Sequence, residues 1–491
     1  MTRCSVHILL LLLIFFTANG RAMQSPDRFT GYVPFVERIR NFEKDLQNAR
    51  GSNRDEILLS LAKTHFEQAE LYHLISLAFA ATTEVYFKIM EENNIDSGVA
   101  SGLYRGIGLF ELGDYVEAEK SLNRFLRSQN NLPEELVTAG IAWLGAVEYM
   151  RGAKQNAIQR WQTIPSADRE LCSVVDYVHA RVRFNMDQVP ERCTHQSIRA
   201  HVNELIPAVQ VMIAAGQFER LADLIRNDTF TTTFIENKGS EKEIRYYNPA
   251  DIVTLAFAHY ALAAHYSGRA TTKEHDAFYS AVFYFRTGQY EKLIASLTGS
   301  DDIRAAVYLA GAYYKNNQKD SAREIFNYLE RSGNETALGD VYIMYAQLGL
   351  KDKKDNAVAF FQNALEKRQA RTRRDVPQDI LKNLGLMYFY SGDYSSALEI
   401  LSTAFRTERR ADLRANEPGF MVLFGSSMIL AKNFISLSEA IDMFSTVARS
   451  YPAAQALVET TSLIDVATNI GEKEELYTEG SFLLLRRGLT L

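Results

Sequence analysis

A short string recurs at two distant places in the chain: Leu112-Gly113-Asp114-Tyr115-Val116-Glu117-Ala118 and Ser391-Gly392-Asp393-Tyr394-Ser395-Ser396-Ala397. Each follows a run of helical periodicity with an upstream glycine, Gly106 or Gly385, and precedes a leucine, Leu122 or Leu401. Its chemistry is that of a tight turn between two helices. Glycine adopts the left-handed backbone that ends one helix, and the aspartate beside it accepts hydrogen bonds from the N–H groups that open the next. Gly385 and Ala397 are small where the two helices cross. Leu384 and Tyr388 fill one side of that interface, and Leu401 and Ala404 are expected to pack against the next unit. One pair cannot bury this face alone, so the string demands an array.

Further copies follow the same plan. Residues 303–336 carry Leu309, Ala310, Tyr313 and Tyr314, then Ala322 and Phe326, with Asn317 in place of the turn glycine. Asparagine tolerates that backbone region. Residues 138–168 carry Leu144, Gly145, Gly152, Ala157, Trp161 and Pro165, and residues 338–371 keep Ala357, Phe361 and Ala364 behind a lengthened turn from Gly349 to Asp355. Phe424, Gly425, Ala440, Phe444, Val447 and Pro452 repeat the theme, and weaker turns stand at Gly216 and Gly288. The set resembles the tetratricopeptide repeat, most closely over 378–411 and 99–132. The resemblance implies an all-α fold, an α-solenoid of antiparallel helix pairs wound into one superhelix or two arrays. Only 10 prolines interrupt the chain, and blocks of sheet-type alternation are missing, which suits that reading.

The chain begins with Arg3, an apolar run from Ile8 to Phe16 and the small-residue stretch Ala18-Asn19-Gly20-Arg21-Ala22, the layout of a secretory signal. The run is shorter than the roughly 20 residues a spanning helix needs. Cleavage is expected after Ala22; the alternative is an uncleaved anchor, since Arg3 is the only charge ahead of the run. Residues 23–226 then form an N-terminal helical array. Residues 227–249, polar and β-branched, form a linker or hairpin, and 250–491 form a C-terminal array with a closing helix over Glu475 to Leu491. Export leaves Cys172 and Cys193, two thiols that an oxidising compartment would join as a disulfide. A zinc site at Cys193, His195 and His201 lacks the paired, closely spaced cysteines of such sites, so no metal is expected. His259 and His265, six apart on one helix, read as packing residues.

The function classes narrow by elimination. With 60 acidic against 54 basic side chains, the chain has no general attraction to nucleic acid. It carries no phosphate-cradling glycine loop, no zinc-protease helix and no nucleophile elbow, so neither catalysis nor a cofactor is expected. The expected partners are other proteins or peptides, with no small-molecule substrate and with membrane contact only if the N-terminal segment is retained. The family's groove positions, carried onto this chain, are Lys382, Leu386, Phe389 and Tyr390 in one unit and Val307, Tyr314 and Lys315 in another. Tyr342 and Ala346 lie between them, and Phe278 and Phe285 extend the row. Leu386 and Ala346 depart from the polar pattern that grips a terminal carboxylate. The row is aromatic, suited to an apolar peptide or helix, or else it is interhelical core. A second surface is basic: Lys367, Arg368, Arg371, Arg373 and Arg374 close one unit, and Arg406, Arg409, Arg410 and Arg414 close the next. It is either a contact for an acidic partner or a set of solvated helix ends. The leading expectation is an exported, periplasmic scaffold; its rival is an accessory subunit that brings an envelope polymer to an enzyme through the arginines.

Overall fold

The computed structural model describes residues 35–92, 101–111, 113–127, 134–164, parts of 209–227, 232–235, 243–246, 249–270, 273–297, 300–371, 378–407, 417–433 and 436–469. The signal segment 1–22, Cys172, Cys193, His195, His201 and the closing segment from Glu475 lie outside these residues.

Helices α1 (Phe35–Asn48) and α2 (Ser52–Glu92) lead into two pairs, α3 (Ser101–Glu111) with α4 (Tyr115–Arg127) and α5 (Glu134–Met150) with α6 (Lys154–Gln162). Helix α7 (Phe218–Asn227) precedes an antiparallel hairpin, β1 (Thr232–Ile235) and β2 (Glu243–Tyr246), in which Thr232 faces Tyr246 and Ile235 faces Glu243. Within the stretch expected as a linker or hairpin, the described residues other than its helical ends are these two paired strands. After α8 (Pro249–Gly268) come α9 (Lys273–Arg286) with α10 (Tyr290–Leu297), α11 (Ile303–Lys315) with α12 (Lys319–Arg331), and α13 (Glu335–Gln347) with α14 (Lys354–Arg371). The chain continues through α15 (Gln378–Tyr390) with α16 (Tyr394–Thr407), α17 (Pro418–Leu430) with α18 (Leu437–Ala448), and α19 (Gln455–Asn469).

The turn chemistry is realised at both strong and weak copies. Gly113, Gly152, Gly216, Gly288, Gly349 and Gly392 all take the left-handed backbone, with φ between 67° and 90°, and Asn317 does so at 61°. In the last unit the position falls to Lys432, at φ 57°. Asp114 and Asp393 each accept from a backbone N–H three residues on, at 3.2 Å. The lengthened turn at Gly349 winds into a short 3-10 helix, Lys351–Lys353.

Helix crossing explains the small residues. A β-carbon added at Gly385 would lie 2.6 Å from Leu401, and one added at Gly106 would lie 2.5 Å from Leu122. Leu401 therefore packs into its own pair, rather than waiting for the next unit as the sequence pattern suggested. The missing β-carbon lets the second helix drop its leucine onto the first. Helices α9, α11, α13, α15 and α17 then pack side by side, which makes the array a solenoid of tetratricopeptide-like pairs.

Helix α2 departs from this plan. Its 41 residues span about 60 Å at 1.5 Å per residue, and over its middle, residues 68–84, buried positions fall on every side, while Lys63, Glu67 and Lys88 stay exposed. A helix apolar all round has to be covered all round. It packs most extensively on α8, then on α19, α17 and α3, and touches α9. It therefore bridges the two ends of the C-terminal row. The hairpin at 227–249 separates stretches of sequence, but α2, which precedes it, shares a core with the helices that follow it.

Candidate functional site

Because α2 is anchored at the ends of the row, a cleft remains between it and the middle helices. The cleft contains two cavities, of about 770 and 550 Å³. The larger lies between Leu77, Ala81 and Val85 of α2 and Phe285, Phe389 and Tyr394 of the array. The smaller lies between Phe66, Leu71 and Leu74 of α2 and Leu386, Phe420 and Leu423 opposite. Tyr390 borders both, and it also lines a third cavity of about 400 Å³ at the lengthened turn, with Tyr342, Ala346 and Lys351.

Burial raises the pKa of Tyr390 above the usual tyrosine value, against the opposing pull of the Arg286 guanidinium. The Arg286 side chain is only 8% exposed and donates to Glu70 Oε1 on α2 at 3.4 Å. The Tyr260 hydroxyl donates to the same oxygen at 2.5 Å. One carboxylate of α2 thus holds α8 and α9. Farther along, Glu84 of α2 sits in the wall of the larger cavity, with its pKa raised by burial against the opposing pull of Arg105 and Lys88.

The groove positions taken from the family part company here. Phe285, Lys315, Phe389 and Tyr390 line the larger cavity, while Lys382, Leu386 and Tyr390 line the smaller. Phe278 and Val307 are core: Phe278 packs edge-on to Phe66 of α2 at 5.4 Å under the Arg304 guanidinium, and Val307 is fully buried. Tyr342 turns toward Phe360, 5.1 Å away, and the Tyr314 ring lies under the Lys319 ammonium at 5.6 Å. Phe389 is itself buried against Tyr394. These positions serve packing first: Phe278 is covered by α2, and Val307, Tyr314, Tyr342 and Phe389 are held by neighbouring helices of the array. Of the basic set, Lys367 and Arg406 are exposed on α14 and α16. The side chains of Arg368 and Arg371, and all of Arg373, Arg374, Arg409, Arg410 and Arg414, lie outside the described residues.

Sequence reasoning did not anticipate Glu70, Glu84, Arg105, Arg286 or Gln347. The signal that leads to them is the all-round apolar character of α2, which demands a covering partner and so places its few polar side chains at contacts. His259 meets His65 of α2, Nδ1 to Nδ1 at 2.9 Å, so one ring donates and the other accepts. Burial lowers the pKa of His259 to about 3. His265 stacks on Phe218 at 4.3 Å, its pKa also lowered by burial. Among the described residues no group of His, Cys, Asp and Glu is placed to hold a metal ion, and no helix is long and apolar enough to cross a membrane. The cleft offers shape, aromatic surface and cations, which is binding chemistry.

No protein-family model matches the chain, and no curated protein does. Among solved structures the chain is similar to a tetratricopeptide repeat protein from Parabacteroides merdae, at 14% identity over 70% of this chain and 99% of that one, with a TM-score of 0.23. It is similar to yeast Tom70 at 12% identity over 91% and 95% of the two chains, with a TM-score of 0.31. The APC/C Cut9-Hcn1 hetero-tetramer gives 12% identity, 92% and 90% coverage and a TM-score of 0.28. The tetratricopeptide-like character of the fold rests on the helix pairs, their left-handed turns and their glycine crossings.

Proposed function

We propose that the protein is a non-catalytic scaffold that holds a segment of a partner protein in the smaller cavity between α2 and the array. The observation that supports this is the composition of that cavity. Apolar side chains of α2, α15 and α17 face one another across it, yet no element of the described chain fills it. Solenoids commonly bind along the side lined by their first helices, and an apolar helix or extended segment suits such a surface. Lys382 pairs with Glu417 at the rim, where polar groups that set orientation belong. The signal-like N-terminal sequence supports an exported scaffold, working in the periplasm or a comparable envelope compartment.

In-cell cross-linking followed by affinity purification and mass spectrometry tests the reading. The native protein is compared with a double variant, Asn383→Arg with Leu386→Glu, that fills and charges the cleft from the exposed and half-buried positions of α15. Circular dichroism establishes beforehand that the variant is folded. Partners captured by the native protein and lost by the variant support the cleft; the same partners on both place binding elsewhere. N-terminal sequencing of protein from cells addresses export: a chain starting at Met23 supports it, and one starting at Met1 removes the cleaved signal.

A further inference from the structure

The smaller cavity is lined mainly by apolar side chains, yet its α1–α2 wall carries two enclosed donors that apolar contact does not explain. We propose that these donors, on Gln68 and Arg38, bind the main-chain carbonyls of an extended partner segment, so that the cleft takes a strand-like peptide and rejects a helix. Gln68 of α2 is 3% exposed, and among the described residues nothing accepts a hydrogen bond from its Nε2. Arg38 of α1 is half-buried in the same wall. Its Nε is enclosed without an acceptor, and no carboxylate of the described residues pairs with its guanidinium. The acids of the lining are engaged elsewhere: Glu70 with Arg286 and Tyr260, Glu417 with Lys382, and Glu67 with Lys63 at 3.9 Å. Buried polar groups are nearly always hydrogen-bonded, so the missing acceptors belong to the occupant. This rests on the smaller cavity as the partner site and deepens that reading.

The donors decide between the two conformations an apolar segment can bring. A helix uses its carbonyls on its own N–H groups and leaves only the last four free, so an apolar helix laid along this wall offers Gln68 and Arg38 no acceptor. An extended segment has made none of its main-chain bonds, and its side chains alternate between two faces. Its carbonyls can meet Gln68 and Arg38 while its apolar side chains fill the space between Leu71 and Leu74 on one side and Leu386, Phe420 and Leu423 on the other. Size agrees with this choice. A helix with its side chains is about 10–12 Å across and rises about 5.4 Å per turn, so one turn takes roughly 500 Å³. A single turn would therefore fill the cavity of about 550 Å³ alone. Both donors stand on α1 and α2, outside the repeat pairs, so selection of the partner's conformation lies with the lead-in helices and not with the array.

The test is selection from a phage-displayed library of random dodecapeptides on the full chain, with the selected peptides synthesised and their affinities measured by fluorescence anisotropy. Peptides that bind the native protein and are lost on the Asn383→Arg, Leu386→Glu variant belong to the cleft. Gln68→Met should weaken these about fivefold and Arg38→Met about tenfold or more, the sizes that a neutral and a charged donor imply. Locking the same peptides as helices with a hydrocarbon staple between positions i and i+4 should weaken binding at every placement. The melting temperature of Gln68→Met should hold or rise, because the substitution removes a buried donor that has no partner within the chain. A fall would assign Gln68 to the fold and overturn the proposal. Cleft peptides that bind Gln68→Met as tightly as the native protein, or that tighten when stapled, would overturn it while leaving the cleft as the partner site. A selection that yields no cleft-dependent peptide would overturn both readings.

Discussion

The α15–α16 pair and the α2–α8 contact are both helix packings, held by different means. In the pair, Leu401 drops onto Gly385 and the turn at Gly392 sets the geometry, so everything needed lies within one unit. Between α2 and α8 the contact joins residues about 190 apart. There His65 meets His259, and Glu70 receives the Tyr260 hydroxyl. The first packing is generic, and Gly106 with Leu122 repeats it. The second is individual, because a buried polar atom has to find one particular partner and a shift of one helical turn would orphan it. The comparison teaches that the array makes its own pairs locally, while α2 joins α8 to α17 and α19 at the far end of the row.

Substitutions should separate the two by size and by reach. Leu401→Ala is expected to cost about 4 kcal/mol, because Leu401 is fully buried against a residue with no side chain and the hole cannot easily collapse. Amide exchange should rise in α15, α16 and their immediate neighbours, since an array transmits loss between adjacent units. Glu70→Leu should cost about 3 kcal/mol, somewhat less, since Glu70 keeps some solvent contact while leaving the buried Arg286 unbalanced. Its exchange signature should appear in α2, α8 and α9 together, far apart in sequence. If Glu70→Leu loosened only α2, the long-range contact would not be what holds the array's ends.

That contrast also explains what could be read in advance. The turn at Asn317 was legible because asparagine is the usual substitute for glycine there, whereas Lys432 at φ 57° carries no such mark. The glycine crossings were legible as small residues at fixed spacing; that Leu401 belongs to its own pair needed the coordinates. The groove positions supplied Phe285, Lys315, Phe389 and Tyr390, all on one cavity, but could not foretell that Phe278 would be covered by Phe66 of α2 or that Val307 would be buried within the array. The helix that covers Phe278 is encoded well before it in the chain, and periodicity carries no information about which distant segment a face will meet. The opposite wall, with Glu84 and Arg105, was invisible for the same reason.

The histidine pair allows the α2–α8 contact to be probed by pH alone. The unfolded His259 titrates near 6.5, and in the folded chain its pKa lies at about 3. Between those values the unfolded state binds the extra proton, so stability is full above about pH 6.5 and falls as pH drops toward 3, by up to about 1.4 kcal/mol per unit. Urea unfolding at pH 7 and pH 5 should therefore show the native protein losing about 2 kcal/mol more than His259→Gln, which has no such proton to exclude. Equal losses would mean that the imidazole is hydrated in the folded state and that the α2–α8 contact is looser than the 2.9 Å pair implies.

The smallest effect belongs to an ion pair that is shorter than the Arg286–Glu70 bridge. Arg323 and Asp320 on α12 approach to 2.9 Å, yet their side chains are 68% and 91% exposed. Water screens the attraction, and two long side chains lose freedom to form it, so Arg323→Ala should change stability by less than about 0.5 kcal/mol in urea unfolding. Arg286 meets Glu70 at the longer distance of 3.4 Å, but at 8% exposure its guanidinium has exchanged water for that carboxylate. Distance alone would rank the two pairs the other way round. A loss at Arg323 as large as that at Glu70 would show that array surface and spine are held alike, and the distinction between generic pairs and an individual spine would fall with it.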